Sequence, residues 1–415
     1  MTKKTLLIIL LIIIFIALDV VFYVFFFQNR DSLTTSEPKS PDSIFPTSDN
    51  RPLDDSKTDN LKNESTNDQT SNSTEVAPTS ENGNSLSGTS WSNLLAISLS
   101  SFKVGTTTQT FILDKPSGNI FAYGPDGLKR LTNTTFPGVE EVIWGMDKNG
   151  LRLILRRSSS GLFNNASGLV ELGNTTEVGE LQTNPLSDNL LSFAVSPTKD
   201  RLFVLNGRQG GIDGYVADFN LNNRRTIFSS ALSEWLVSWP NQTYIALQTK
   251  PAADVPGFLF FLNVNNSSLS PVIRNVEGLS ALVGPDANKI IYSRGALNSV
   301  STYLYDYKQD KSLRLSISTL PEKCLWAKTG ETVFCAVPKN TIAANYPDDW
   351  YQGKIQFSDN LWSIDASNGN VTLITDSQNL GDLINLSHNE DQNQILAIDR
   401  NTKKVRVIPL KNQSL

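Results

Sequence analysis

A module recurs along this chain from about Val142 to the C-terminus, and that recurrence limits the fold more than any other feature. Each copy reads as a short apolar strand, a turn of the Pro-Asp/Thr-x-x kind, a second apolar strand, a variable loop and a third strand with the cadence aromatic-apolar-x-Asp. The clearest copy, ending at Ser230, reads LLSFAVS, PTKD, RLFVLN, GRQGGID, GYVADF, NLNN and RRTIFSS. Further copies open at EWLVSWP, LSALVGPDANKIIYSR and CLWAKTGETVFCAV. Four strands per unit at a spacing of roughly 40–50 residues is the signature of β-propeller blades. The expected fold is therefore all-β, a propeller of seven four-stranded blades.

The blade boundaries follow from the same pattern. The second blade opens near Glu141, the third near Leu190, the fourth near Glu234, the fifth near Gly278, the sixth near Glu322 and the seventh near Gly381. In blade one, QTFILD, NIFAYG and LKRLTN read as outer strands, with Phe102–Gly105 as the inner one. Blade seven offers three clear strands, DLINLS, NQILAID and VRVIPL. The run Leu94–Leu99 (LLAISL) is expected to supply its missing outer strand, which would close the ring and remove an exposed sheet edge.

The units SFAVSPTKDRLFVL and SALVGPDANKIIYS resemble the Trp-Ser-Pro-Asp-Gly repeat of TolB-like and WD-like propellers (PD-repeats). GNIFAYGPDGLKRLTNTTFPGVEEVIWG and YPDDWYQGKIQFSDNLWSID resemble stretches of membrane-anchored bacterial propeller proteins. The resemblance runs from about Leu94 to Leu410. It implies an extracytoplasmic interaction platform and no defined chemistry. Most blades here lack the full Ser-Pro-Asp-Gly turn.

The N-terminus differs from the rest. Lys3 and Lys4 precede an almost unbroken apolar run from Leu6 to Phe27. As a helix rising ~1.5 Å per residue it would be about 33 Å long, enough to cross a hydrocarbon core. The run ends in Phe25, Phe26, Phe27 and Gln28 with no small-residue cleavage pattern, so an uncleaved signal anchor is expected. The two lysines place its N-terminus in the cytoplasm. From Asp31 to about Ser90 the chain is Ser, Thr, Asn, Asp and Pro over most of its length, with Phe45 its only aromatic residue. Such a stretch cannot offset its ordering entropy by burial. The expected organisation is a cytoplasmic stub and transmembrane anchor over 1–30, a disordered linker over 31–90 and the propeller over 91–415. The expected location is the plasma membrane, single-pass, with the propeller outside the cytoplasm.

The net charge of −5 is mild, and the basic pairs Arg156-Arg157, Arg224-Arg225 and Lys403-Lys404 form no stripe of the kind that binds nucleic acid. Cys324 and Cys335 are the only cysteines. They flank Lys328-Thr329-Gly330-Glu331. A two-residue turn at Thr329-Gly330 would set Lys328 opposite Glu331, Trp326 opposite Val333 and Cys324 opposite Cys335. That register supports a disulfide between the first two strands of one blade, which suits an exported domain. Two Cys and one His do not complete a tetrahedral metal site, and no metal or cofactor is expected.

His388, the only histidine, sits in LSHNED, read as the turn after the first strand of blade seven, and no nucleophile motif accompanies it. Asp218, Asp306 and Asp365 recur at the ends of third strands, where Asn263 also stands, and read as turn caps. One loop stands apart. Blade six inserts PKNTIAANYPDDWYQGKIQFSD, which carries Tyr346, Asp348, Asp349, Trp350, Tyr351 and Phe357. Long loops on rigid scaffolds carry function, and aromatics beside carboxylates suit carbohydrate stacking, a cationic ligand or a protein hot spot. These six are the candidate ligand- or partner-binding residues. The same loop also reads as a lid packed on blades five to seven. The expected role is a non-catalytic scaffold for a protein or envelope polymer. The alternatives are a carbohydrate-active hydrolase or lyase using funnel carboxylates, and an envelope assembly factor.

Overall fold

A computed structural model describes residues 94–410, apart from 160–161, 173–177, 187–188, 297 and 377–379. The expected anchor (1–30) and linker (31–90) lie outside the described residues, as do the first residues of the expected propeller domain. No helix among the described residues is long and apolar enough to cross a membrane.

Seven antiparallel sheets follow one another along the chain. Blade one is β1 (Ala96–Val104), β2 (Thr107–Asp114), β3 (Ile120–Gly124) and β4 (Gly127–Arg130). Blade two is β5 (Glu141–Asp147), β6 (Gly150–Ser159), β7 (Leu162–Val170) and β8 (Gln182–Leu186). Blade three is β9 (Leu190–Val195), β10 (Leu202–Arg208), β11 (Gly211–Ala217) and β12 (Arg225–Ser230). Blade four is β13 (Trp235–Ser238), β14 (Tyr244–Thr249), β15 (Pro256–Asn263) and β16 (Leu269–Glu277). Blade five is β17 (Ser280–Val283), β18 (Lys289–Ala296), β19 (Ser299–Asp306) and β20 (Lys311–Arg314). Blade six is β21 (Cys324–Trp326), β22 (Thr332–Pro338), β23 (Asp359–Asp365) and β24 (Val371–Thr375). Blade seven is β25 (Leu383–Asn389), β26 (Gln394–Asp399) and β27 (Val405–Pro409).

The chain is thus a seven-bladed β-propeller, and the blades open where the repeat pattern places them. The second strand of each blade lies between two neighbouring sheets, so both its faces are buried and its sequence is a continuous apolar run. Leu202, Phe203, Val204 and Leu205 of β10 are all fully buried. Apolar clusters sit between consecutive blades, and one of them joins blade seven to blade one through Leu94, Ala96, Leu99, Ile112, Leu396 and Ile398. Outer strands are polar, as in Lys311–Arg314, and Pro185 and Pro409 stand in the fourth strand of blade two and the last strand of blade seven, where a missing N–H is tolerated.

The turn between first and second strands repeats with different residues. Lys199 donates its N–H to the Ser196 carbonyl, Ala287 to Gly284 and Gly330 to Ala327, each at 2.9 Å. Their φ values are +66°, +53° and +77°. Glycine takes this left-handed position at least cost, yet only one of the three blades uses it, which is why the Ser-Pro-Asp-Gly pattern is broken here.

Three readings are corrected. Leu94–Leu99 does not form the outer strand of blade seven. Ala96–Val104 is the inner strand of blade one and pairs with β2, so the inner strand begins well before Phe102, and blade seven has three strands among the described residues. A bulge between Ala96 and Ser98 interrupts an alternation that otherwise continues through Ser98, Ser100 and Phe102. The second correction concerns the cysteine hairpin. Its register is as expected, with Cys324 opposite Cys335 and Trp326 opposite Val333, and the disulfide is formed. The turn is wider, however: Ala327 donates to the Thr332 carbonyl at 2.8 Å and closes a four-residue loop. The third is His388, which lies within β25, paired with Ile395.

Candidate functional site

In each blade the loops between strands two and three, and the connections to the next blade, emerge on one face. The blade-six insertion, 339–358, rises from that face between β22 and β23 and folds back across it. Its one helical turn, α1 (Asp348–Tyr351), turns Trp350 inward and Tyr351 outward.

Tyr346, Trp350 and Phe357 are buried, and with Val300, Leu320 and Ala344 they form an apolar cluster of their own. The rings of Tyr346 and Phe357 are nearly parallel, with centroids 6.3 Å apart. The backbone is pressed as closely: a Cβ built on Gly295 of blade five would collide with the Tyr346 carbonyl oxygen. Burial pushes the Tyr346 hydroxyl pKa up, and that hydroxyl donates to the Ile342 carbonyl at 2.8 Å.

Beneath the aromatic cluster lies an ionic group without solvent access. Lys323, Asp359 and Asp382 are each 0% exposed. The Lys323 ammonium donates to Asp359 Oδ2 at 2.8 Å, to Asp382 Oδ1 and to the Leu383 carbonyl at 3.1 Å. It also lies 5.4 Å from the Trp350 ring centroid and 5.2 Å from that of Phe357, close enough for cation–π attraction. Asp382 Oδ2 accepts the Trp350 indole N–H at 3.0 Å, and the Leu383 N–H donates to Asp359 Oδ2 at 2.7 Å. Desolvation pushes the Asp359 pKa up to about 6, opposed by the Lys323 charge and hydrogen bond.

Lys323 precedes the inner strand of blade six, Asp382 precedes that of blade seven, and Asp359 opens β23 at the end of the insertion. The group therefore pins the insertion to two blades at once. Burying three charges costs several kcal/mol per ion before their attraction is counted, so such a cluster fixes geometry more than it adds stability.

The outer side of the lid is held by polar contacts. Arg400 of blade seven stacks on Trp350, its guanidinium carbon 4.5 Å from the ring centroid, and donates to the Tyr351 carbonyl at 3.2 Å. The Tyr351 hydroxyl donates to Glu322, which also accepts from Ser280 of blade five at 2.6 Å. Desolvation and the Glu322 charge raise the Tyr351 pKa. Asp348 accepts the Ala253 N–H of blade four. Asp349 accepts the Asn345 N–H at 2.8 Å and pairs with Lys354 at 3.1 Å; those two contacts lower its pKa.

The six residues singled out in the sequence thus come together in one structure but divide in two. Tyr346, Trp350 and Phe357 are closed off from solvent. Tyr351 is exposed, and Asp348 and Asp349 stand partly exposed beside it. Lys323, Asp382, Glu322 and Arg400 were not singled out, since they lie far from the insertion in sequence. The recurrent carboxylates cap turns: Asp218 accepts the Asn220 and Asn222 N–H groups, Asp365 that of Ser367 and Asp306 that of Gln309. Asn263 does the same for Asn265. Burial lowers the His388 pKa, and its ring packs edge-on to Phe334 at 5.4 Å.

No protein-family model matches the chain, and neither does any curated protein. Among solved structures it is similar to TolB from Acinetobacter baumannii, at 11% identity and a TM-score of 0.44 over 68% of this chain and 66% of that one. It is similar to an oligogalacturonate lyase in complex with manganese, at 12% identity and a TM-score of 0.49 over 76% and 96%. It is also similar to a puromycin-hydrolyzing peptidase of Mycobacterium tuberculosis, at 12% and 0.44, over 66% of this chain and 44% of that one. The chain thus spans about two thirds of TolB and under half of the peptidase. Likenesses at this level carry no argument about activity; the propeller fold rests on the seven sheets.

Proposed function

We propose that this chain is a non-catalytic scaffold that binds a protein or an envelope polymer on its lid face. In this reading the segment Leu6–Phe27 anchors it in the plasma membrane with the propeller outside the cytoplasm. The observation that carries the binding reading is the distribution of exposed apolar side chains. Nine large ones are exposed among the described residues, and six of them, Phe163, Leu191, Leu232, Leu236, Val255 and Tyr351, belong to loops or strand ends on the lid face. Scattered single residues would need no explanation, but a concentration on one face marks an interaction surface.

Two further features support the reading. The paired carboxylates that the fold brings together, Asp359 and Asp382, are closed to any substrate. The Cys324–Cys335 bond suits an oxidising compartment.

The test uses chemical cross-linking of the full-length chain in its own membranes. The triple variant Leu232→Asp, Leu236→Asp, Val255→Asp should lose its cross-linked partner by about tenfold or more while melting as the parent does. Tyr351→Ala should weaken capture and, by removing the hydroxyl that holds Glu322, lower the melting temperature; Tyr351→Phe should share the loss in melting and keep capture. Trp350→Ala should lower the melting temperature, because it removes a buried aromatic worth about 3–5 kcal/mol. Capture unchanged in the triple variant would remove the lid face from consideration.

A further inference from the structure

The ionic group under the lid does not balance. Lys323 brings one positive charge, Asp359 and Asp382 bring two negative ones, and all three side chains are closed to solvent. Arg400 stands at the rim, 4.0 Å from Asp382 Oδ2, and is partly exposed.

The two carboxylates are not equivalent. Both Asp382 oxygens are engaged: Oδ1 accepts from Lys323 and Oδ2 from the Trp350 indole N–H at 3.0 Å. Asp359 Oδ2 accepts from Lys323 at 2.8 Å and from the Leu383 N–H at 2.7 Å. Asp359 Oδ1 is buried and has no hydrogen-bond partner among the described residues. A carboxylate held out of water with one bare oxygen is relieved by a proton, because an unpartnered neutral O–H costs less there than an unbalanced charge.

The other titratable groups nearby turn elsewhere. Glu322, next to Lys323, accepts from Ser280 and Tyr351. Asp399, beside Gly381, pairs with Arg406 at 3.2 Å and accepts from Thr402. The Tyr346 hydroxyl donates to the Ile342 carbonyl. Lys323, Asp382 and Arg400 are therefore the charges that bear on Asp359.

The insertion is fastened to this same group. Asp359 is the first residue after it, Trp350 donates to Asp382, and the Trp350 and Phe357 rings lie over Lys323. With the lid raised, all three side chains would meet water, and Asp359 would return to an ordinary carboxylate. Proton uptake and lid closure are thus linked, and the linkage is reciprocal.

We propose that a proton latches the insertion: Asp359 Oδ1 takes one up from solvent as the lid closes and returns it as the lid lifts. The latch sets in acid. Burial pushes the Asp359 pKa up from 3.8 to about 6, with the Lys323 charge opposing. Its hold on the closed lid is complete below pH 4 and is lost as pH rises through 6. The gap between the two values corresponds to about a hundredfold in the closing equilibrium. Tyr351, Asp348 and Asp349 travel with the lid, so the lid face is firm in acid and loosened above pH 6.

The Trp350 indole N–H reports the latch, since it meets solvent only when Trp350 leaves Asp382. The Trp144 indole N–H, which donates to Ser98 at 2.8 Å, lies between blades one and two and reports opening of the ring. Hydrogen exchange of both is followed by NMR in the full-length chain in detergent micelles. Protection is taken against free tryptophan at the same pH. Between about pH 8 and pH 4, protection of Trp350 should rise about a hundredfold and that of Trp144 by less than about threefold. In Asp359→Asn, which cannot take up the proton, protection of Trp350 should not vary with pH. No rise at Trp350 in the unsubstituted chain, an equal rise at both indoles, or a rise retained in Asp359→Asn would each overturn the proposal. No partner takes part, so the result stands apart from whether the lid face binds one.

Discussion

Lys323 and Asp359 stand 2.8 Å apart, and neither side chain reaches solvent. The pair is closed above by Trp350 and Phe357 and shared below with Asp382, so a single ammonium serves carboxylates from two blades. Each ion depends on the others, because no water can replace a lost partner.

Lys323→Met should therefore be severe. It leaves two buried carboxylates with only Arg400 nearby, 4.0 Å from Asp382. Removing one partner of a buried ionic group typically costs about 3–5 kcal/mol. The urea midpoint should fall with little change in slope. A loss below about 1 kcal/mol would mean that water enters the cluster.

Asp359→Asn should change the pH dependence more than the fold. The amide oxygen that replaces the carboxylate can still accept from Lys323 and the Leu383 N–H. The Asp359 pKa of about 6 lies above its ordinary 3.8, so the folded state holds the proton more tightly than the unfolded one. Its contribution to stability is complete below pH 4 and is lost as pH rises through 6. Between pH 7 and pH 4 the parent should gain up to about 3 kcal/mol relative to Asp359→Asn, since each tenfold difference in proton affinity is worth about 1.36 kcal/mol. Parallel stability curves for the two proteins, measured by urea titration across that range, would refute the raised pKa.

Gly295→Ala probes how the lid sits on blade five. The added methyl would collide with the Tyr346 carbonyl, and it also nears Gly278 at 3.4 Å. The Tyr346 backbone must give way, so the insertion should lift. We expect a loss of about 2 kcal/mol or more and faster proteolysis between 339 and 358. Digestion at the parent rate would show that the lid can shift without opening.

The Cys324–Cys335 bond closes a short loop, with a separation of 11 residues. Cys324→Ala with Cys335→Ala should lower stability by roughly 1–3 kcal/mol, since short loops restrict the unfolded chain least. Mass mapping of the native protein without reductant should find both thiols bonded. Freely alkylated thiols would argue against an oxidising compartment.

The blades were legible because their central strands carry their own signal. LFVLN and IIYS are apolar on both faces, and each is preceded by a turn with few alternatives. Blade one was harder. Its inner strand, AISLSSFKV, carries Ser98, Ser100 and Ser101 among its apolar residues, and its apolar start reads as a separate strand. The aromatic residues of the insertion could be found because length and composition mark them. The ionic group beneath them could not. Lys323 lies 36 residues from Asp359 and 59 from Asp382, and a lone Lys before a strand looks like any solvated cation. His388 shows the same limit: its neighbours Asn389 and Glu390 suggest a turn, while its pairing with Ile395 depends on a partner strand.

In a ring of blades each unit leans only on the next, so unfolding can start at any blade and travel stepwise. The lid breaks that rule. Through Asp348 it holds Ala253 of blade four, through Tyr351 and Glu322 it reaches Ser280 of blade five, and through Trp350 and Arg400 it reaches blade seven. Four of the seven blades are thereby tied into one cooperative block, while among the described residues blades one to three keep only their nearest neighbours. The ring should come apart from the side that the lid does not cover.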